Sequence, residues 1–438
     1  MKVAVVGAGW AGLAAAVGLH DAGCAVTVFD AAHTPGGRAR RIEHDGFPQG
    51  LDNGQHILLG AYDQTLALIE RLHGHLDGML RLPLRIESLD GRFRLRVPAL
   101  PAPLHGAAAL ALARGLGAGS RLAALRMAAR LRRPGWQCPP GYTVADLLAR
   151  HGQTRRLRDR LWEPLCLAAL NTPPSQACAR LFVRVLQDSL AGQRQASDML
   201  LPRTDLSALW PDAAIELVDW RPGHAVRHLS HDKSGVQVDG ERYDALVLAV
   251  PPVSAGRLLA PLPAAPGSPR LQHTLSAFAY QPIVTVSFRL AEPWRLPHPI
   301  MMLEEDPRHG HIGQWVVDRG ALAGAAHGEL AVVASAASAA LQQDREALGD
   351  AVLEQLRTQL ARRRRATPLP PVAARAMVTE KRATFSAVPG LQRPRVQSPW
   401  RRIVLAGDWT DTGYPGVLEG AVRSGRQACA AVLKLRAA

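Results

Sequence analysis

With 438 residues, 47% hydrophobic and 20% charged, the chain is long enough for two or three domains, and its ordinary composition excludes wholesale disorder and rod-like folds. The formal charge of +15 comes from 52 basic against 37 acidic residues, but only four of the basic residues are lysine and the arginines are spread along the whole chain. Diffuse arginine without interleaved aromatics predicts no nucleic-acid partner; even the tightest run, Arg362 to Arg365, reads as a solvated helix end where cations suit the dipole. Five cysteines (Cys24, Cys138, Cys166, Cys178, Cys429) contain no C-x-x-C pair, so neither a disulfide framework nor a metal site is indicated and a reducing cytoplasm is expected. The apolar stretch after Met1-Lys2 looks like a secretory leader, but glycines at 7, 9, 12 and 18 argue against it. No apolar run reaches the ~18 residues of a spanning helix, so membrane contact is expected to be peripheral.

In chain order, Lys2 to Val6 (KVAVV) predicts a buried parallel strand. Gly7-Ala8-Gly9-Trp10-Ala11-Gly12 follows as G-x-G-x-x-G, and Leu13 to His20 continues as helix. Gly7 permits the tight turn, Gly9 lets the backbone approach a pyrophosphate, and Gly12 lets helix pack on strand. A second strand, Ala25 to Phe29, ends in Asp30, placed for a ribose hydroxyl. Up to this point NAD and FAD both remain open.

Pro35-Gly36-Gly37-Arg38 comes next, and here the sequence resembles the flavin amine oxidase and phytoene desaturase superfamily. The resemblance implies FAD, with Gly37 and Arg38 extending the dinucleotide site and a guanidinium on the pyrophosphate. Asp52 to Tyr62 (DNGQHILLGAY) matches the segment that runs past the flavin, so Gly54, Gln55 and His56 are expected at the cofactor. Ala99 to Arg133 is rich in Ala, Leu, Gly and Arg and reads as amphipathic basic helix, either capping the pocket or approaching a membrane. Leu161 to Pro173 (LWEPLC…ALNTP) predicts helix. Val226 matches the position whose backbone contacts adenine, and Tyr243 to Val250 (YDALVLAV) reads as a strand leading out of the cofactor unit. Gln281 to Leu290 and Leu330 to Ser335 predict strands of a substrate sheet, with Asp344 to Arg365 a helix over it. Arg402 to Ala406 predicts the last strand, followed by Gly407-Asp408 and by Gly413 to Ala421 opening a helix to about Leu435. This resembles the second flavin motif: Asp408 on the ribityl chain, and Gly416, Val417 and Leu418 at a helix start facing the ring.

Three segments, DNGQHILLGAY, LWEPLC…ALNTP and Gly407-Asp408-Trp409-Thr410 through Pro415, resemble the hydroxysqualene dehydroxylase family across essentially the full chain. That resemblance implies an FAD enzyme that reductively removes the hydroxyl of hydroxysqualene to give squalene, in squalene and hopanoid biosynthesis. A carotenoid-type desaturase and a non-catalytic flavin-binding membrane accessory protein are the alternatives. The expected fold is α/β with an α+β substrate domain. A Rossmann-type FAD domain would be built from 1–72, 196–262 and 397–438, a substrate domain from 73–97 and 263–396, and a helical subdomain from 98–195. Candidates for the proton donor are His56, Glu163, Asp52 and Tyr414. His56 either delivers the proton or is hydrogen-bonded to flavin or backbone. Asp52 could cap its loop, Glu163 could enter an apolar pocket or pair with Arg158 or Arg160, and Tyr414 could line the pocket or only pack there. The expected location is the cytoplasm, peripheral on the inner face of the membrane, with an electron donor and other pathway enzymes as candidate partners.

Overall fold

The computed structural model describes residues 1–190, 192–232, 235–325 and 327–436. Five parallel strands form the first sheet, in the spatial order Asp219–Arg221, Ala25–Phe29, Lys2–Val6, Ala245–Leu248 and Ile403–Leu405. The central strands are apolar on both faces, as a parallel sheet covered on both sides requires, and Val3, Ala4 and Val5 are fully buried. Helix Trp10–Asp21 covers one face together with the terminal helix Leu418–Arg436. They meet through small residues: a Cβ on Gly425 would stand 2.2 Å from the Ala11 carbonyl oxygen. The two ends of the chain therefore share one core.

A second, antiparallel sheet runs Ile300–Met302, Trp315–Asp318, Glu329–Ser335, Tyr280–Leu290 and Val372–Phe385. Helix Arg345–Arg362 buries Leu348, Val352, Leu356 and Leu360 against it, and its N-cap Asp344 accepts a hydrogen bond from the Ala347 amide at 2.9 Å. Arg363 does not stay solvated as expected. It pairs with Glu87 at 2.6 Å, because that buried carboxylate needs a cation and Arg85 supplies only one side of it.

The third region is helical. The expected single basic helix of 99–133 is two helices, Leu104–Ala111 and Ala118–Arg132. Gly115 forces the break: it sits at φ +84°, and a Cβ there would lie 2.2 Å from the Arg92 carbonyl oxygen. Downstream, a π-helical turn Arg158–Trp162 runs into helix Glu163–Leu170, which stops at Asn171 in the left-handed conformation, and helix Ala179–Leu190 follows. Among the described residues no helix is long and apolar enough to cross a membrane.

Candidate active site

The first strand delivers the chain into a turn that only glycine can make. Gly7 lies at φ +109°, its Cβ position 2.7 Å from the Ala249 carbonyl oxygen, and a Cβ on Gly12 would be 1.9 Å from the Gly7 carbonyl oxygen. Gly9 differs: its Cβ would meet nothing nearer than Gly37 Cα at 3.9 Å. Gly7 and Gly12 are thus required by the protein itself, whereas the space over Gly9 is open to a ligand. No side chain caps the helix that begins at Trp10, so its N-terminus is available to an anion. The Gly36 amide donates to the Ala8 carbonyl at 2.9 Å, which sets the second glycine loop against the first. Asp30 closes the turn from below, accepting from the Ala8 amide at 2.6 Å and the Ala32 amide at 2.8 Å.

The two distant motifs are joined directly. Arg38 donates to Asp408 at 2.5 Å and to the Ala383 carbonyl at 2.8 Å. Its guanidinium, expected at the pyrophosphate, also bridges to Asp408, the carboxylate of the second motif. Asp408 in turn sits 3.2 Å from where a Cβ on Gly416 would be, so Gly416 keeps room beside the carboxylate. The Val417 amide, expected to face the ring, donates to the Pro415 carbonyl at 2.8 Å in a tight turn. Leu418 begins the terminal helix.

A single cavity of about 1000 Å³ starts at this cradle and continues into an apolar tube. Gly7, Gly9, Ala11, Asp30, Gly37, Arg38, Val226, Gly407, Asp408, Gly416, Val417 and Leu418 line the cradle end, and Gly54, Gln55 and His56 line its middle. Gly12 lies behind the turn. The tube is walled by Leu95, Leu110, Leu161, Trp162, Phe182 and Leu186, and helix Leu104–Ala111 roofs it with Gly106, Ala109 and Leu110. One face of the antiparallel sheet forms the remaining wall.

His56 stands at the junction. Its Nδ1 is 2.7 Å from the Gly54 carbonyl, so Nδ1 carries the proton and Nε2 is the free nitrogen. Burial first, and the Arg38 charge second, hold its pKa below the ordinary value against the opposing pull of that carbonyl. Tyr414 also lines the cavity, where Arg184 donates to its hydroxyl at 3.0 Å. Burial raises its pKa. Two candidates are displaced. Asp52 lies behind the junction loop, accepting from the Leu206 amide at 2.8 Å, with burial pushing its pKa up to about 6. Glu163 is not among the cavity-lining residues; it opens its helix, where the Arg158 charge only partly offsets its burial. Arg160 donates to the Gly115 carbonyl, and burial raises the Glu163 pKa.

Several residues at the site were not among the expected site residues, although Asn171 lies in the ALNTP segment. Asn171 ties the helical region to the sheet, donating to the Gln281 carbonyl and Thr384 hydroxyl at 3.1 Å each and accepting from the Ala336 amide at 2.6 Å. Glu380 lines the cavity and accepts from Asn53 at 3.2 Å. Thr285 and Trp315 project from the sheet wall. Besides the ALNTP segment that contains Asn171, Thr285 carried a signal: it is a polar residue in the apolar run of a strand the sequence did predict.

The residues present fit FAD. The open space over Gly9, the uncapped helix N-terminus, and the unpartnered Trp409 Nε1 along the cavity are all polar or vacant features that the protein leaves unmatched. Residues 10–433 match the family described as flavin containing amine oxidoreductase. Hydroxysqualene dehydroxylase of Rhodopseudomonas palustris is 31% identical over 98% of each chain. Zeta-carotene desaturase of Synechocystis is 36% identical, but over only 22% of each chain. Cyclohexylamine oxidase of Brevibacterium oxydans has the same fold, with a TM-score of 0.70 at 20% identity over 100% of this chain and 99% of its own. The chain belongs to the flavin containing amine oxidoreductase family and is an FAD-dependent oxidoreductase.

Proposed function

We propose that the protein reductively removes the hydroxyl of hydroxysqualene to form squalene. The observation that carries this reading is the continuity of the cavity: the glycine cradle that fits FAD and the apolar wall of Leu95, Leu110, Leu161, Trp162, Phe182 and Leu186 line one and the same space. Similarity to hydroxysqualene dehydroxylase over nearly the whole chain supports it, whereas the match to a carotenoid desaturase is partial. When bound and reduced, FAD supplies a hydride. The chain's own residues do the rest. Leu95, Leu110, Phe182 and their neighbours hold the hydrocarbon and exclude water from the carbon that loses oxygen. His56 delivers the proton through Nε2; because its pKa is held down, its protonated form is a strong acid whose population grows as pH falls.

In this reading 1–72, 196–262 and 397–438 serve the cofactor, 73–97 and 263–396 the substrate, and 98–195 the lipid side. Leu104 and Leu112 on the tube's roof are 57% and 71% exposed, and Arg114, Arg126 and Arg130 beside them are exposed cations. That surface suits peripheral attachment to an anionic bilayer on the cytoplasmic side, where an apolar substrate is dissolved. The test is anaerobic: protein reduced with dithionite is mixed with hydroxysqualene, and flavin reoxidation is followed with squalene assayed as product. Reoxidation coupled to squalene is expected. No reoxidation, or reduction of the oxidised protein by phytoene, overturns the proposal.

A further inference from the structure

The sheet wall of the cavity is a ladder of directly opposed residues. Trp315 pairs with Val333, Val333 with Thr285, and Thr285 with Val378, so these four share one face, and all four line the cavity. In the next rank, Ile283 is flanked by Ser335 and Glu380. Within this wall Thr285 is 3% exposed, and its hydroxyl has no hydrogen-bond partner. A valine would have the same shape in an otherwise valine-rich row without burying an unmatched polar atom. Apart from Trp409 Nε1, which lies against the cradle at Gly407, two more buried orphans belong to the same cavity, Gln55 Oε1 and Trp315 Nε1. The loop and the wall converge: a Cβ on Gly54 would lie 3.9 Å from Thr285 Oγ1 and 3.8 Å from His56 Cε1.

The chemistry of the three orphans is specific. Gln55 Oε1 accepts, Trp315 Nε1 donates, and the Thr285 hydroxyl does either. Together they complement a group that both donates and accepts one hydrogen bond and carries no charge. An alcohol is such a group. A phosphate or carboxylate would need a cation, and the nearby one, Arg38, is committed to Asp408. We propose that Thr285, with Gln55 and Trp315, is the hydroxyl-binding station of the cavity and sets the preference for the oxygenated substrate over its deoxygenated product. This rests on the dehydroxylase reading above. Loss of the oxygen leaves the three polar atoms unmatched again in a dry tube, which weakens the hold on product.

The test compares binding of hydroxysqualene and squalene to the oxidised holoenzyme, followed by perturbation of flavin absorbance. Wild type is expected to prefer hydroxysqualene about 10- to 100-fold. Thr285→Val should keep full FAD content, lose about 10-fold in hydroxysqualene affinity and leave squalene affinity unchanged, while Thr285→Ser restores the preference. Trp315→Phe gives a second reading of the same preference should the valine variant fail to fold. A wild type that turns over hydroxysqualene, together with variants that keep the wild-type preference, overturns the assignment of Thr285 alone. A flavin-loaded wild type that does not turn over hydroxysqualene overturns the dehydroxylase reading, and this assignment falls with it.

Discussion

At one end of the cavity the wall is backbone, with Gly7, Gly9, Gly36 and Gly37 brought together from two loops and the amide groups doing the shaping. At the other end it is side chain, contributed by residues 84–97, 104–110, 161–190 and the sheet strands, most of them apolar groups that a similar group could replace. The first kind of wall admits no side chain without loss of fold or of ligand, and holds a ligand common to many enzymes. The second tolerates exchange of one apolar group for another and sets which hydrocarbon fits. Cofactor and substrate are thereby governed by parts of the chain that can change independently.

The sharpest way to break this contrast lies within the backbone wall. Gly12→Val drives a side chain into the Gly7 carbonyl, and the expected outcome is no folded, flavin-bearing protein. Gly9→Glu should by contrast fold, because its Cβ meets nothing, yet purify colourless. Circular dichroism with flavin absorbance separates the two, and equal folding of both variants would remove the distinction between packing glycine and ligand glycine.

Behind the junction, Asp52 predicts an effect on stability rather than on catalysis. Its folded pKa of about 6 lies above the ordinary 3.8, so between those values the folded state binds the extra proton. Stability is fully present below the lower value and is lost as pH rises through the upper one, by up to about 3 kcal/mol at 1.36 kcal/mol per unit. Asp52→Asn keeps an acceptor for the Leu206 amide and escapes this loss. Its melting temperature should exceed wild type at pH 7.5 and converge with it near pH 4; a gap that does not change with pH contradicts the buried-acid account.

At the junction itself, His56→Ala should retain FAD but slow single-turnover reoxidation by hydroxysqualene about 100-fold, the scale of lost acid catalysis. In the wild type that rate should rise as pH falls below 6.5, since the imidazole pKa is lowered. A variant rate near wild type moves the proton to water or to the Tyr414 hydroxyl. The smallest effect is expected on the roof of the side-chain end. Leu104→Glu and Leu112→Glu each remove an exposed apolar contact worth about 1 kcal/mol, and co-sedimentation with anionic vesicles should fall roughly fivefold for each and fall further with salt. Unchanged sedimentation would make the two helices a cap and nothing more.

The contrast also explains what could be read from sequence. The strand, glycine turn and helix of residues 2–21 are legible because each glycine answers a local steric demand. The antiparallel strands at 280–290 and 329–335 are legible as β-branched runs. Strand Val372–Phe385 is not, because its half-buried, charged face (Arg375, Glu380, Lys381, Arg382) lacks alternation and its partner lies about 90 residues upstream. Asn171 sits in the ALNTP segment, but its role is not legible there, since it exists only once Gln281, Ala336 and Thr384 surround it. The break at Gly115 was readable in principle, but alanine and leucine on both sides made the segment look continuous.

The Arg38–Asp408 bridge spans 370 residues, and Glu419 accepts from the Thr65 amide across 354. On a ribosome adding ~5–20 residues per second, the N-terminal glycine unit must wait roughly 20–80 s for the strand and helix that complete it. The apolar strand Ala245–Leu248, once made, waits about 155 residues, roughly 8–30 s, for its outer neighbour, Ile403–Leu405. The nascent chain is therefore a client for chaperones until its last forty residues emerge, and flavin capture is a post-translational event. A chain truncated before Asp408 would be expected to be degraded rather than to accumulate.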